Sequence, residues 1–547
     1  MEEKESFNME LESLYIPATN RFASLYIQQE PPVTSFFHYN LDEPGLYADR
    51  VKDINLRDFP REALVEVIER YMKPFPSSGE VERSMKKLKE DAVVVIGGQQ
   101  AGLLTGPLYT IHKVISIIKL AKEQEEKMNY PVIPVFWIAG EDHDYQEINH
   151  VFVEQNGKMD KTGYPERATD KRMASEFTFN KETMRKWVNQ VIRHFGETEF
   201  TKGLLRDLED AIERSETIVD FFSSIIMSLF KDYGLLIIDS AYPLLRELEK
   251  PYFHHLIEGS EIISEKVREQ QNIISENGFP LTIEMKEDAA NLFINENGER
   301  ILLEREGDVF RGKNGEIHYT LGQLEEILDS EPHRFSNNVV TRPLMQEWLF
   351  PTLAFIAGPG EIAYWGELKQ AFDWAGNKMP PIVPRLNLTI LERDVKRNAD
   401  ELSLSLDAVL KDGVEREKLQ YWESVKDTDL ESRINEAERM LMASYEGILP
   451  KAAAIDKGLE NIIEKNLSFH KQQFEYLRLK TNHSLQSKYQ LQLGKYERIE
   501  ASLKPGGAPQ ERLWNLYYFM NRYGEGFVKG LMDLPMEFDG KHKVISL

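Results

Sequence analysis

The sequence contains no cysteine. Disulfide frameworks, thiolate metal sites and a cysteine nucleophile are therefore excluded. Long apolar runs are also missing. No stretch reaches the ~18 residues that a membrane-spanning helix needs, and the charged start Met1-Glu2-Glu3-Lys4-Glu5 has no signal-peptide character. A cytoplasmic protein is expected. Basic charge is scarce: 67 Lys and Arg stand against 91 Asp and Glu, for a net charge of −24. No basic stripe is available to replace phosphate counterions, which argues against a nucleic-acid partner. The same deficit argues against adhesion to anionic membranes. Among catalytic signatures, a Gly-x-Ser-x-Gly elbow and the metal patterns His-x-His and His-Glu-x-x-His are missing.

What is present centres on Ala92 to Glu147. Ala92-Val93-Val94-Val95-Ile96 reads as a buried, β-branched strand. It is followed by Gly97-Gly98-Gln99-Gln100-Ala101-Gly102-Leu103-Leu104-Thr105-Gly106-Pro107, a glycine-rich turn through which a ligand can approach the backbone. The turn has neither the Gly-Lys-Ser/Thr of a P-loop nor the dinucleotide glycine spacing. Pro107 suits the first turn of a helix, whose apolar stripe would be Leu108, Ile111, Ile115 and Ile118. Val132 to Ala139 forms a second strand and ends in Gly140-Glu141-Asp142-His143-Asp144. This is a βαβ unit with polar groups where the strands end, the place where open α/β sheets bind ligands. The helix N-terminus after Gly106 offers free N–H groups to an anion.

At 547 residues the chain is too long for one core, and two or three domains are expected. We read an α/β core over 1–387 with insertions at about 151–230 and 280–335, a helical coiled-coil arm over 388–502, and a segment over 503–547 that returns to the core. In the first insertion, Val151-Phe152-Val153 and Glu176-Phe177-Thr178-Phe179 read as a strand pair. Leu235 to Ser240 reads as another buried strand, and Asp239 at its end is either a site residue or a turn or helix cap. In the second insertion, Asn297-Gly298 and Asn314-Gly315 signal hairpins. Arg342 and Arg385 stand beside prolines at element ends, suited to carboxylates and phosphates or to ordinary ion pairs. In the arm, Leu459, Ile463, Leu467, Phe474, Leu477 and Leu485 fit antiparallel helices, with the break near Gly447 to Pro450 and an apolar seam able to form a homodimer.

The site expected from these clusters has three groups. His112, Asp142 and His143 are the catalytic candidates. Gln99, Gln100, Thr105 and Gly106 are assigned to a nucleotide or phosphate. Glu141, Asp144, Tyr364 and Arg385 are assigned to substrate. Adjacent residues of one loop rarely converge on one ion, so no structural metal is expected.

Three segments carry a resemblance: Gly98 to Pro107, Trp137-Ile138-Ala139-Gly140-Glu141-Asp142-His143-Asp144, and Gly358-Pro359-Gly360-Glu361-Ile362-Ala363-Tyr364. In this order, and over essentially the whole chain, they resemble the BshC family, the cysteine ligases of bacillithiol biosynthesis. The resemblance implies a Rossmann-like core of the nucleotidyltransferase and class I aminoacyl-tRNA synthetase type, with connecting-peptide insertions and a dimerising coiled coil. It implies that cysteine is joined to glucosaminyl-malate through an amide to the sugar amine. Activation of the carboxyl by ATP, with Mg2+, is the expected driver. Of the synthetase His-x-Gly-His motif, Tyr109-Thr110-Ile111-His112 keeps only the last His, and no Lys-Met-Ser-Lys-Ser loop is found. The rival readings are a nucleotidyl- or glycosyl-transferase on the same fold, or a non-enzymatic coiled-coil scaffold.

Overall fold

A computed structural model describes residues 9–155, 157–166, 171–313, 315 and 317–547. The chain forms two compact units. One comprises the chain up to Leu391 together with Ala508–Leu547, the other Glu392–Gly507.

The first unit is built on five strands, β1 (Val93–Gln99), β2 (Val132–Ile138), β3 (Leu236–Asp239), β4 (Thr352–Ala357) and β5 (Ile382–Pro384). All neighbouring strands are parallel, and they lie in the order β5-β4-β1-β2-β3. β1 and β2 pair from Val93 with Val132 to Gln99 with Ile138. The Val- and Ile-rich strands are buried on both faces, which is why they read as continuous apolar runs. Helix α1 (Tyr109–Met128) links β1 to β2, and α2 (Pro243–Glu258) leads away from β3. Helix α3 (Thr341–Leu349) precedes β4, and α4 (Pro359–Gly366) links β4 to β5. The chain thus builds outward from β1 through β2 to β3, then returns to the other side of β1 with β4 and β5. The order reverses between β1 and β4.

The glycine-rich stretch is divided differently from the sequence expectation. Strand β1 continues through Gly97, Gly98 and Gln99. A Cβ on Gly97 would lie 3.1 Å from both Ile117 Cδ1 and the Ile356 carbonyl, so its absence lets α1 and β4 pack closely on β1. The turn itself is Gly102 to Gly106. Gly106 has φ +65° and ψ −151°, a region open essentially to glycine alone.

The two insertions flank β3. In the first, Val151 pairs with Thr162 in a hairpin of His150–Gln155 with Lys158–Gly163. The expected partner, Glu176 to Phe179, is no strand. Ala174–Glu176 forms a 3-10 turn, and Phe177 packs on Tyr145 with ring centroids 4.6 Å apart. In the second, Ala289–Glu296 and Glu299–Glu306 form the hairpin expected at Asn297-Gly298, inside a five-stranded sheet. The turn expected at Asn314 lies outside the described residues. A further sheet joins the chain ends: His542–Ser546 pairs antiparallel with Glu10–Leu14 and parallel with Leu388–Leu391.

In the second unit, α5 (Thr428–Ile455) and α6 (Gly458–Leu503) are long paired helices. Their hairpin is at Asp456-Lys457, where Asp456 is extended and its Oδ1 accepts from Gly458 N at 2.8 Å. Gly447 and Pro450, expected to mark the break, lie inside α5. Ile463, Leu467, Phe474 and Leu485 are half-buried, but Leu477 is 47% exposed. Its neighbour Arg478 takes the inward position four residues after Phe474, donating to Asn435 at 2.8 Å and to Glu438. Among the described residues no helix is long and apolar enough to cross a membrane.

Candidate active site

A cavity of about 320 Å³ opens at the carboxyl ends of β1 and β4, where the strand order reverses. This is the position at which doubly wound sheets bind ligands, because the connections depart to opposite faces and leave a crevice. Gly98, Gln99 and Gln100 come from the end of β1, Ala139 and Asp142 from beyond β2, and Gly358 to Glu361 from the start of α4. Tyr109 and Lys113, one turn apart on α1, form another wall with Arg342 and Gln346 of α3. Tyr364 on α4, Arg385 beyond β5 and Arg512 from the C-terminal segment complete the part used below.

Electrostatics sets this cavity apart from the rest of an acidic chain. Its lining carries four basic side chains, Lys113, Arg342, Arg385 and Arg512, against two carboxylates, Asp142 and Glu361. Lys113 is fully buried. Its ammonium donates to the Gly98 carbonyl at 2.7 Å and to Glu361 Oε2 at 2.5 Å, and the same oxygen accepts from Gly358 N at 2.6 Å. Burial holds the Lys113 pKa below its ordinary value against the pull of Glu361. Two buried donors of cavity-lining residues have no hydrogen-bond partner among the described residues: the indole N–H of Trp137 and Nε of Arg385. Orphan donors of this kind in a cavity wall call for acceptor atoms on a ligand.

Behind the wall lies a buried ionic core. Glu141, wholly buried, accepts from Arg342 Nε at 2.7 Å, from Asn337 N at 3.1 Å and from Arg246. Burial opposes its charge, but Arg246, Arg342 and Arg300 outweigh it and hold the carboxyl below its usual range. Arg342 also grips Asp142, turning that carboxylate toward the cavity. Arg300, from the hairpin of the second insertion, stacks 3.7 Å over Phe293 and lies 3.1 Å from His143 Nδ1. The insertion therefore supplies a group to the site's support. Arg246 also pairs with Glu249, whose carboxyl burial pushes up to about 7.

The titration of Glu249 has a consequence for stability. An acid whose pKa is raised on folding binds its proton more tightly in the native state. That contribution is present in full below the unfolded value of 4.5 and is lost as pH rises through about 7. The shift corresponds to about 3 kcal/mol. Glu249→Gln, which keeps an acceptor for Arg246, is expected to flatten the decline in stability between pH 5 and 8. Denaturant unfolding across that range checks this, and an unchanged slope rejects it. Asp239, pushed by burial to about 6, leaves a smaller slope of the same sign.

Of the residues expected from the sequence, the cavity brings together Gln99, Gln100, Asp142, Tyr364 and Arg385. The others lie outside its lining. Thr105 and Gly106 are buried beneath the C-terminal segment, where Asn515 Nδ2 donates to the Leu104 and Gly106 carbonyls, each at 2.8 Å. Just before α1, Leu108 N is already used, donating to the Trp514 carbonyl at 2.9 Å. His112 is buried, and desolvation, with Arg385 and His542 adding to it, holds its pKa well below the ordinary value. It is an enclosed imidazole whose burial disfavours the charged form. Glu141 belongs to the ionic core, His143 supports Arg300, and Asp144 is exposed ahead of the short helix Tyr145–Ile148. Asp239 accepts from Ser175 Oγ at 2.6 Å and Ala241 N at 3.0 Å, so it closes the turn after β3. Among the described residues no group of three or more His, Asp or Glu is placed to hold a metal ion.

Sequence reasoning passed over Lys113 and Glu361 as site residues. The signal was available: Tyr109 and Lys113 share a helical face that His112 does not, and Glu361 stands three residues after the helix-starting Gly358.

The parallel order, the cavity at its reversal and the separate helical hairpin define a Rossmann-like protein with a coiled-coil domain. Comparison with known proteins agrees. Residues 9–386 match the family described as bacillithiol biosynthesis BshC, N-terminal Rossmann-like domain, and residues 388–547 match its C-terminal coiled-coil domain. A relative from Geobacillus sp. (strain WCH70) is 40% identical over 542 residues, covering 98% of this chain and 100% of its own length. Relatives from Bacillus cereus (strain AH187) and Anoxybacillus flavithermus are 40% identical over 540 and 541 residues, each covering 98% of this chain and 100% of its own length. All three are provisionally named cysteine ligase BshC. The chain belongs to the BshC family.

Proposed function

We propose that the chain is a ligase that joins the carboxyl of cysteine to the glucosamine nitrogen of glucosaminyl-malate, driven by ATP with Mg2+. One observation carries the reading: a cavity at the strand-order reversal of a BshC-family chain, lined by orphan donors and an excess of basic groups. The C–N bond replaces a carboxyl C–O bond, and the attacking ammonium gives up protons. ATP would supply the activation of the carboxyl that this exchange requires. Gln99 and Gln100, with the backbone exposed at Gly98 and Gly358, fit a polar, multi-acceptor ligand such as a nucleotide. Asp142 and Glu361 are the carboxylates facing the cavity, suited to drawing in an ammonium, and Tyr364 can orient it. His112, Thr105 and Gly106 have no direct part in this reading. The reading also places the chain in the cytoplasm, where ATP is available.

The test is a mass-spectrometric assay of protein, cysteine and glucosaminyl-malate, with and without ATP and Mg2+. Bacillithiol formed only with ATP is the expected result, and AMP or ADP identifies the activation. Product without nucleotide removes the ATP requirement. No amide with all components present rejects the ligase reading.

The arm is assigned to self-association. Ile462, Phe469 and Tyr476 recur every seven residues on α6 and are 63%, 54% and 57% exposed. A heptad-spaced apolar stripe left uncovered by α5 fits a second copy of the chain. A monomeric mass by sedimentation rejects this assignment.

A further inference from the structure

The start of the C-terminal segment is fastened beside the cavity by Gln510, Glu511 and Asn515. Gln510 accepts from Ile390 N at 2.8 Å and donates to the Ile390 carbonyl at 2.9 Å. Glu511 Oε1 accepts from Arg385 Nη2 at 3.0 Å. Asn515 ties down the Leu104 to Gly106 turn, and its Oδ1 accepts from Tyr517 N at 2.9 Å. Arg512 is different. It lines the cavity, is exposed, and its guanidinium makes no hydrogen bond or ion pair with any described residue; only its backbone N–H is used, donating to the Pro509 carbonyl at 3.0 Å. A segment locked on both sides of one free guanidinium presents that guanidinium in a defined place at little further entropic expense.

Its neighbour across the wall is also incomplete. Arg385 is 93% buried by its 7% exposure, and Nη1 donates to the Tyr109 carbonyl at 3.1 Å. Its Nη2 is used by Asn387 at 2.9 Å and by Glu511, but Nε has no partner. Glu511 is the carboxylate that Arg385 is bonded to. Burial, against Glu511 and Glu361 and with Arg512 adding to it, holds the Arg385 pKa below its ordinary value. Glu361 is engaged by Lys113 and Asp142 by Arg342, so the two guanidiniums facing the cavity repel each other. An oxyanion between them would remove that repulsion and satisfy the orphan N–H groups.

We propose that Arg385 and Arg512 form an oxyanion subsite of the cavity, which takes a phosphate or carboxylate group of a substrate. That the group belongs to a substrate rests on the ligase reading; the existence of the subsite does not. Arg385 is the built-in half, fixed by its other bonds. Arg512 is the half whose removal should leave the fold in place, because no described residue is bonded to its guanidinium.

Calorimetric titration of the full chain with inorganic pyrophosphate and, separately, with L-malate tests the proposal. The wild type is expected to bind at least one of them, and Arg512→Ala to weaken that binding by about tenfold or more, the scale of a lost charge-assisted hydrogen bond. Arg512→Lys, which keeps the charge but not the fork, is expected to fall between. Loss confined to pyrophosphate assigns the subsite to the nucleotide, and loss confined to malate assigns it to the sugar-acid substrate. Equal affinities in wild type and Arg512→Ala overturn the proposal, as does a wild type that binds neither probe at millimolar concentration. Arg512-dependent binding in a protein that forms no amide would sink the ligase reading and leave the subsite standing. Amide formation with unaltered kcat/KM and unaltered probe affinity in Arg512→Ala would do the reverse.

Discussion

Glu141→Ala is expected to destabilise the first unit by about 3–5 kcal/mol, the range seen when one partner of a buried ion pair is removed. The carboxylate ties four elements together. It leaves the end of β2, accepts from Arg246 on α2, from the backbone of Asn337, and from Arg342 on α3. Removing it leaves Arg246 with Glu249 alone and Arg342 with Asp142 alone. Two guanidiniums then remain buried with less than their share of negative charge. Glu141→Gln keeps the shape and one acceptor, so its loss should be smaller. Denaturant titration of the two variants measures the difference. A change below about 1 kcal/mol for the alanine variant would show that water or a shifted Asp142 replaces the missing anion. Activity per folded molecule should also drop, because Arg342 orients Asp142 from this core.

The parallel sheet was legible because strands buried on both faces leave continuous apolar runs, as Val93 to Ile96, Val132 to Ala139 and Leu235 to Ser240 show. Strand β4 was not. Leu353-Ala354-Phe355-Ile356-Ala357 lies between Pro351 and Gly358 in a dense stretch whose alanines blur the period, yet it forms one side of the cavity. The arm's helices were legible from their composition, but the hairpin was not. Glycine and proline were read as the break, whereas Asp456, through its bond to Gly458 N, makes the turn.

The site shows the same division. Polar residues at strand ends revealed which loops matter, since the topology gathers those ends in one place. Which side chain of a loop enters the cavity depends on a single step. His112 and Lys113 are about 100° apart on the helix, and only Lys113 meets the cavity. Glu141 and Asp142 are adjacent, yet one is sealed in the ionic core and the other faces outward. The partners that decide this are distant in sequence: Arg246 lies 105 residues from Glu141, and Arg300 lies 157 from His143. No local periodicity links them. Resemblance named the right segments, but it could not orient their side chains.

Glu361→Gln is expected to reduce turnover by about 100-fold while the fold persists. Its carboxylate carries the negative charge paired with the buried Lys113 ammonium and caps Gly358 N at the start of α4. Gln can still accept a hydrogen bond, so the loop should stay in place. The charge balance of the wall does not survive, because Lys113 then has only neutral acceptors, the Gly98 carbonyl among them. Its pKa, already lowered by burial, falls further without that carboxylate, so the ammonium holds its proton less tightly. Turnover of Glu361→Gln should therefore be higher at low pH, where Lys113 is charged, than at high pH. A second variant separates chemistry from stability. Replacing the pair together, Lys113→Met with Glu361→Leu, removes both buried charges, and such swaps are often neutral or stabilising. This double variant should unfold at or above the wild-type denaturant midpoint and still fail to form the amide. A stable double variant with wild-type turnover would reduce the pair to a structural tie and move the chemistry to the Asp142 side of the cavity. A double variant less stable than Glu361→Gln alone would show instead that the ammonium's bond to Gly98 holds the end of β1 in place.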